Sequence, residues 1–346
     1  MKQLTECAAK GGALTTAEVG EAASALLSGD FGDEEKADFL EALNRRGEKP
    51  EEVRAFAAEF LKAAIPFEIP DGVGPVLDVC GTGGDKLGLF NISTAVMFVA
   101  AGAGARIVKH GNRGITSKSG GADVLEALGV PVDLPAERLH DMLGEAGAVF
   151  LFAPCFHPAF KAVAPARKLL AERGQASVFN MLGPLLNPAR PECQLTGVFS
   201  DSLLALYADV LPGLGRKSAW VVHGRAGSDG VMDEISTLGP TQIAKLSASG
   251  SSVETVHPPD LGVSAAQLED LRGGGAAENA ALLLRILQGE ERGAPRDIVV
   301  VNAAAAIIVA GITEDWREAM ARAAESIESG AAGKVLQRMR RVAGTG

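Results

Sequence analysis

Apolar positions in the first 64 residues recur at helical spacing, with polar breaks between short runs. Residues 17–27 and 34–43 each predict a helix. Pro50-Glu51-Glu52-Val53 reads as a helix start with proline in its first turn, and Phe56, Phe60 and Leu61 follow on one face. No chemistry-bearing cluster accompanies these helices, so they predict a layer that packs or dimerises. The segment Ile65-Pro66-Phe67-Glu68-Ile69-Pro70-Asp71, with its two prolines, marks a boundary. Beyond it the period changes. Short apolar runs at 76–80, 105–108 and 148–152 predict strands, and residues 91–103 and 119–128 predict the helices between them. That alternation predicts an α/β fold, a mostly parallel central sheet flanked by helices, with ligands at the carboxyl ends of the strands. Further along, 158–174 reads as helix, 195–198 and 219–223 as strands around a helix at 201–211, and 276–287, 299–309 and 319–340 as C-terminal helices. Residues 270–278, with three consecutive glycines, predict a surface connection.

Composition narrows the class. The 346 residues are 47% hydrophobic and 22% charged, an ordinary globular balance with enough chain for a substantial core. A formal charge of −10 argues against nucleic acid and against an anionic membrane surface as partners. Cys7, Cys80, Cys155 and Cys193 form no CxxC pair, which indicates neither a zinc site nor a disulfide framework. The start MKQLTECAAK lacks the apolar core of a signal peptide, and the longest apolar run, 298–312, contains Asn302 and is too short to span a bilayer. A soluble, cytoplasmic protein is expected.

Candidate chemistry concentrates in residues 76–128. The first strand stops at Gly81-Thr82-Gly83-Gly84-Asp85, a turn whose glycines let a ligand approach main-chain N–H groups. Asn91-Ile92-Ser93-Thr94 opens a helix whose free N–H groups would face the same ligand. After the next strand, Lys109-His110-Gly111-Asn112-Arg113 and Thr116-Ser117-Lys118-Ser119-Gly120 crowd cations and donors into one basic loop, which suits a diphosphate. Farther on, Asp233-Glu234 is an adjacent carboxylate pair after a predicted strand; one or two carboxylates plus substrate phosphates are a usual Mg²⁺ shell.

GTGGD at 81–85, FNIST at 90–94, KHGNR at 109–113 and SKSGG at 117–121, in that order, resemble the anthranilate phosphoribosyltransferase family of tryptophan biosynthesis. The resemblance continues through FNMLGPLLNP at 179–188 and His223-Gly224 to Asp233-Glu234, and so covers nearly the whole chain. It implies transfer of the 5-phosphoribosyl group from phosphoribosyl diphosphate to the amino group of anthranilate. The donor site it implies comprises Gly81, Gly84, Asp85, Leu89, Asn91, Ile92, Ser93, Thr94, Lys109, His110, Gly111, Asn112, Arg113, Ser117 and Gly121. For anthranilate it implies Gly81, Asn112, His157 and Arg167; for two Mg²⁺ ions, Ser93, Asp233 and Glu234; and nearest the chemistry, Lys109 and His110. It also implies a homodimer. Its α-helical dimerisation domain would comprise residues 1–66 plus about 160–186, and its α/β donor-binding domain 67–159 plus 187–346.

The chain departs from the family pattern at Leu89 and Gly121, where hydroxyl residues are common, and at 171–177, which is longer than in many members and lacks a basic residue before FN. A pyrimidine-nucleoside phosphorylase would share the fold class and a lysine-bearing phosphate loop, but it resembles the chain less at FNMLGPL and would not need Asp233-Glu234 for magnesium. Some relatives with this fold bind nucleic acid without transferase activity; the charge of −10 opposes that reading.

Overall fold

The computed structural model describes residues 1–114, 118–228, 230–247 and 250–346. Its first layer is α1 (Lys2–Ala9), α2 (Thr16–Leu27), α3 (Asp33–Arg46) and α4 (Pro50–Lys62). Local chemistry sets the helix ends. The Glu18 carboxylate accepts from the Thr15 N–H at 2.8 Å while Thr15 Oγ1 accepts from the Glu18 N–H at 3.3 Å, a reciprocal cap on α2. Pro50 opens α4, where its missing N–H costs nothing.

The α/β part then runs β1 (Leu77–Gly81), α5 (Ile92–Gly102), β2 (Ile107–Gly111), α6 (Gly121–Ala127), α7 (Ala136–Ala146), β3 (Ala148–Phe152) and the short α8 (Ala153–Phe156). After α9 (Ala164–Glu172) and α10 (Phe179–Leu182) come β4 (Cys193–Gly197), α11 (Asp201–Gly213), β5 (Ser218–Arg225), β6 (Val231–Met232), β7 (Thr241–Ser247) and β8 (Gly250–Val256). Four helices close the chain: α12 (Ala276–Leu287), α13 (Ala294–Val309), α14 (Trp316–Glu328) and α15 (Ala331–Ala343). The sheet order is β3-β2-β1-β4-β5-β7-β8 with β6 also on β5; β1 to β5 are mutually parallel, and β6, β7 and β8 add antiparallel pairings.

Two apolar cores lie on opposite faces of this sheet. Along β5 the side chains alternate, Trp220 and Val222 into the core with α5 and α12 to α15, Ala219 and Val221 into the core with α1 to α4, α9 and α11. The mid-chain return is fastened to the first layer. Lys36 Nζ, buried, donates to the Ser28 carbonyl at 2.6 Å and the Ala162 carbonyl at 2.8 Å. Phe60 of α4 packs against Phe160 and Phe179, with ring centroids 5.2 Å and 5.3 Å away. The Tyr207 hydroxyl of α11 donates to the Met181 carbonyl.

Several expectations need correction. β2 begins and ends later than 105–108, so Lys109 and His110 are buried strand residues rather than members of an open loop. Residues 158–174 are a 3₁₀ turn, Pro158–Ala162, and then α9, because Pro165 fits only near a helix start. The hairpin of β7 and β8 stands where the apolar pattern predicts no strand. Residues 319–340 are two helices, interrupted where Gly330 takes φ 73°. Residues 271–275 are not a mere surface connection: the Phe90 N–H donates to the Leu271 carbonyl at 3.1 Å and the Gly273 N–H to the Gly88 carbonyl at 2.8 Å.

Candidate active site

At the carboxyl ends of β1, β2 and β4, half-buried acids meet the start of α5. The Asp233-Glu234 loop crosses the end of β4 because Gly197 has no side chain; a Cβ there would lie 1.5 Å from the Asp233 carbonyl oxygen. Asp233 Oδ2 accepts from the Gly83 N–H at 2.6 Å, and the Thr82 N–H is taken by the Gly197 carbonyl at 3.0 Å. Two N–H groups of the glycine turn are therefore engaged by the protein itself, which narrows the set of main-chain donors that the turn is expected to offer a ligand.

Burial, reinforced by the charge of Asp233, pushes the Asp85 carboxyl up to about 7. Burial raises Asp233 as well, and burial with Asp233 beside it raises Glu234 well above the usual carboxylate range. Lys109 opposes these shifts from β2, its Nζ donating to the Val79 carbonyl and to Ser93 Oγ at 3.1 Å. The donor set of Ser93, Asp85, Asp233 and Glu234 is all hard oxygen, and its acids are under-neutralised. That chemistry fits a magnesium-type cation. Among the described residues no group of three or more His, Cys, Asp or Glu side chains forms a metal cage alone, so such an ion would take further oxygens from its ligand.

Beside this acidic corner a cavity of about 470 Å³ opens between the sheet and the mid-chain return. Gly81, Asn91, Ser93, Thr94, Lys109, His110, Gly111, Asn112, Arg113, Gly121, His157 and Arg167 line it, with Phe160 and Phe179 from the return. His110 and His157 meet edge to face with ring centroids 5.2 Å apart. Burial and the neighbouring His157 lower His110 to about 3, and burial lowers His157 too, so both rings are neutral near pH 7. His157 Nε2 bonds the Leu186 carbonyl at 2.9 Å, while His110 Nε2 and His157 Nδ1 are buried without partners among the described residues. Arg167 stacks on the Phe179 ring at 5.0 Å, burial lowers its pKa, and among the described residues no carboxylate pairs with it. An aromatic carboxylate entering here would meet a ring wall and a guanidinium.

The profile described as "Glycosyl transferase family, a/b domain" matches residues 73–333, and that described as "Glycosyl transferase family, helical bundle domain" matches residues 2–64. The anthranilate phosphoribosyltransferase of Rubrobacter xylanophilus is 44% identical, with 100% of this chain and 99% of that protein aligned. The chain belongs to the anthranilate phosphoribosyltransferase family. A second member, from Moorella thermoacetica, is 44% identical over 94% of this chain and 93% of its own. The crystal structure of anthranilate phosphoribosyltransferase from Thermus thermophilus superposes with a TM-score of 0.89 at 41% identity, covering 98% of this chain and 99% of that one. The Saccharomyces cerevisiae anthranilate phosphoribosyltransferase in complex with PRPP and Mg gives a TM-score of 0.85 at 27% identity, covering 96% and 94%.

Of the residues implied by the anthranilate phosphoribosyltransferase motifs, Gly84, Asp85, Leu89, Ile92, Asp233 and Glu234 stand outside the cavity wall. Asp85, Asp233 and Glu234 form the acidic corner. The Ile92 side chain is in the core and its N–H bonds the Phe90 carbonyl at 2.8 Å. Leu89 bridges Arg272 through its backbone. Gly121 lies where a Cβ would approach Thr94 Oγ1 to 3.2 Å, leaving little space for a serine. Arg113 pairs with Asp123 at 3.1 Å and Glu126 at 2.5 Å, so its charge is partly spent within the protein. Ser117 lies outside the described residues. Sequence reading missed Phe160 and Phe179, although their place in an apolar run offered a signal.

Proposed function

We propose that this protein transfers the 5-phosphoribosyl group from phosphoribosyl diphosphate to the amino group of anthranilate, giving N-(5-phosphoribosyl)anthranilate and diphosphate in tryptophan biosynthesis. The observation that carries this reading is one cavity lined by two chemically distinct sets of residues. Ser93 and Lys109 border it next to the acidic corner, and Arg167, Phe179 and the neutral histidine pair also form its wall. Family membership and the yeast enzyme's complex with PRPP and Mg support the same reaction.

Magnesium, held as two ions by Ser93, Asp233 and Glu234 together with substrate oxygens, would supply charge neutralisation of the departing diphosphate. The chain's own work is positional. Asn91, Thr94 and the backbone around Gly111 to Arg113 hold the diphosphate, Lys109 adds a fixed cation beside Ser93, and Arg167 with Asn112 orients the anthranilate carboxylate. The amine then faces C1 of the ribosyl group opposite the leaving diphosphate. An aromatic amine carries a free lone pair, so no covalent nucleophile is needed. His110 and His157, both neutral, offer ring nitrogens to the acceptor without repelling Lys109 further.

The N-terminal helices, with the return through α9 and α10, are assigned to a dimerisation domain, and the enzyme to a cytoplasmic homodimer; sedimentation at micromolar concentration tests the dimer. Among the described residues no helix is long and apolar enough to cross a membrane. The reaction itself is tested by the loss of anthranilate fluorescence on mixing protein, phosphoribosyl diphosphate and Mg²⁺. Decay that needs every component and disappears in Asp233→Asn/Glu234→Gln supports the proposal. A folded wild-type protein that produces no decay refutes it.

A further inference from the structure

Nothing in the sequence places the C-terminal helix α12 near the substrate, yet one of its side chains reaches the cavity wall from behind. Asn279 is 3% exposed. Its Oδ1 accepts from the Gly274 N–H at 2.8 Å, which fixes the orientation of the amide because only the oxygen accepts a backbone donor. The Nδ2 group consequently points the other way, donating to Asn91 Oδ1 at 2.8 Å and to Ser119 Oγ at 2.9 Å. Asn91 and Ser119 both line the cavity; Asn279 does not.

These bonds leave Asn91 a single orientation. Its Oδ1 accepts from Asn279 and from Ser119 Oγ at 3.1 Å, and its Nδ2 donates to the Ser119 carbonyl at 3.3 Å. Asn91 makes no side-chain cap on α5, the role its position would otherwise suggest. The oxygen is thus turned toward the protein, and the second Nδ2 proton, the one not given to the Ser119 carbonyl, is the part that would meet an anion. Ser119 meanwhile ties the far limb of the basic loop to the start of α5, although the two are 28 positions apart.

The same strap steadies the trailing limb of the glycine turn. Arg272 donates from a guanidinium nitrogen to the Leu87 carbonyl at 3.1 Å, and a Cβ on Gly273 would lie 2.7 Å from the Leu89 carbonyl oxygen and 2.8 Å from Phe90 Cα. Backbone against backbone leaves no flexible side chain to yield. The segment from Leu271 to Asn279 therefore braces both sides of the expected diphosphate position.

We propose that Asn279 is a positioning residue of the phosphoribosyl-diphosphate subsite, acting through Asn91 and Ser119 and anchored by Gly274; this rests on the function proposed above. The discriminating variant is Asn279→Asp, which keeps an acceptor for Gly274 but removes both donors. It is compared with Asn91→Ala and with the double variant in the complete enzyme, by anthranilate fluorescence and by calorimetric titration of phosphoribosyl diphosphate with Mg²⁺. Expected for Asn279→Asp is donor binding weakened about ten- to hundredfold, the scale on which loss of an orienting partner weakens a liganding side chain, with the KM for anthranilate changed less than about twofold. The double variant should bind the donor markedly better than the product of the two single losses predicts, since both act on one amide.

Unchanged donor binding in Asn279→Asp overturns the proposal, as do single losses that multiply in full. If Asn279→Asp unfolds, Gly273→Ala probes the same strap, and donor binding equal to wild type in that variant overturns it. Wild-type protein that binds the donor yet leaves anthranilate fluorescent refutes the acceptor assignment alone, and the binding comparison still decides the role of Asn279.

Discussion

Gly81→Ala separates function from stability in a way the structure makes quantitative. A Cβ at this position would stand 2.5 Å from Asp233 Oδ2 and 3.0 Å from Asp233 Cγ. Carbon–oxygen contacts relax at about 3.3–3.6 Å, so the carboxylate must withdraw by about 0.8 Å. It is held at 2.6 Å from the Gly83 N–H, and a withdrawal of that size takes the bond beyond its useful range. A hydrogen bond to a charged group contributes about 1.5–3 kcal/mol, and the exposed Gly83 N–H recovers part of that from water, which favours the lower half of the range. The expected cost is therefore about 2 kcal/mol in transition-state stabilisation, or about thirtyfold in kcat/KM for the donor. Gly81 is not in the left-handed region, so alanine is allowed there and restricts the unfolded chain by about 0.4–1 kcal/mol in favour of folding.

Initial rates are measured from anthranilate fluorescence across donor and Mg²⁺ concentrations, with calorimetric unfolding of the metal-free protein alongside. The expected variant has a raised Mg²⁺ requirement, a kcat/KM lowered about thirtyfold and an unfolding midpoint close to wild type. A kcat/KM within about twofold of wild type would show that Asp233 has no fixed position to lose, and the argument from its contact with Gly81 would fail.

Other expectations follow from single observations. Arg167→Met keeps the packing on Phe179 and removes the charge; the KM for anthranilate should rise by tenfold or more, about the strength of a charge-assisted bond, while the KM for the donor stays put. In metal-free protein the folded state holds a proton on Asp85 up to about 7 that an unfolded carboxyl loses near 4, so this group makes stability fall as pH rises between those values, by up to about 1.4 kcal/mol per pH unit for each extra proton bound. His110, lowered to about 3, tilts the other way between 3 and 6.5, so the unfolding midpoint of Asp85→Asn is compared with wild type from pH 5 to 8 to isolate the acid; identical profiles would contradict the assignment. Lys36→Met should lose about 2 kcal/mol in chemical denaturation, because the Ser28 and Ala162 carbonyls lose their donor. Gly144→Ala, exposed in α7 with open space around its Cβ, should gain about 1 kcal/mol.

What was legible in the sequence was what neighbouring residues decide together. GTGGD, FNIST and KHGNR each lie at a strand end or helix start, and the alternation of apolar runs from 76 onward suffices to order β1, α5 and β2. The two-residue error in β2 is instructive. Ala105-Arg106 looks like the start of a strand, but the chain is still leaving α5 there, with the Ala105 N–H bonded to the Ala100 carbonyl at 3.0 Å, and pairing with β3 begins at Ile107. That shift takes Lys109 from a solvated loop into the sheet, where its partners are Val79 and Ser93 and its charge acts on half-buried acids. The hairpin of β7 and β8 escaped notice for a different reason. Its outer strand is largely exposed, so Gly250 to Val256 carries no apolar alternation to be read.

What could not be read was the meeting of distant segments, and the polar residues make that limit specific. Asn279 lies on the apolar face of α12 with Ala280, Leu283, Ile286 and Leu287, a place where an amide has no reason to be unless something buried needs it. The partner, Asn91, is 188 positions away, and only the fold supplies it. Asn302 repeats the pattern on α13: buried among valines and alanines, it donates to the Ile235 carbonyl at 2.9 Å and accepts from the Ile235 N–H at 2.8 Å, pinning the residue that follows Glu234. The backbone immediately after the Asp233-Glu234 pair is therefore fixed by an asparagine whose sequence context reads as plain core. A lone amide inside an apolar helical stripe is thus a positional signal in its own right, marking where a helix supports a polar site on the far side of its core. Here one such amide, Asn279, stands behind Asn91 in the cavity wall, and the other, Asn302, stands behind the acidic corner beside that cavity.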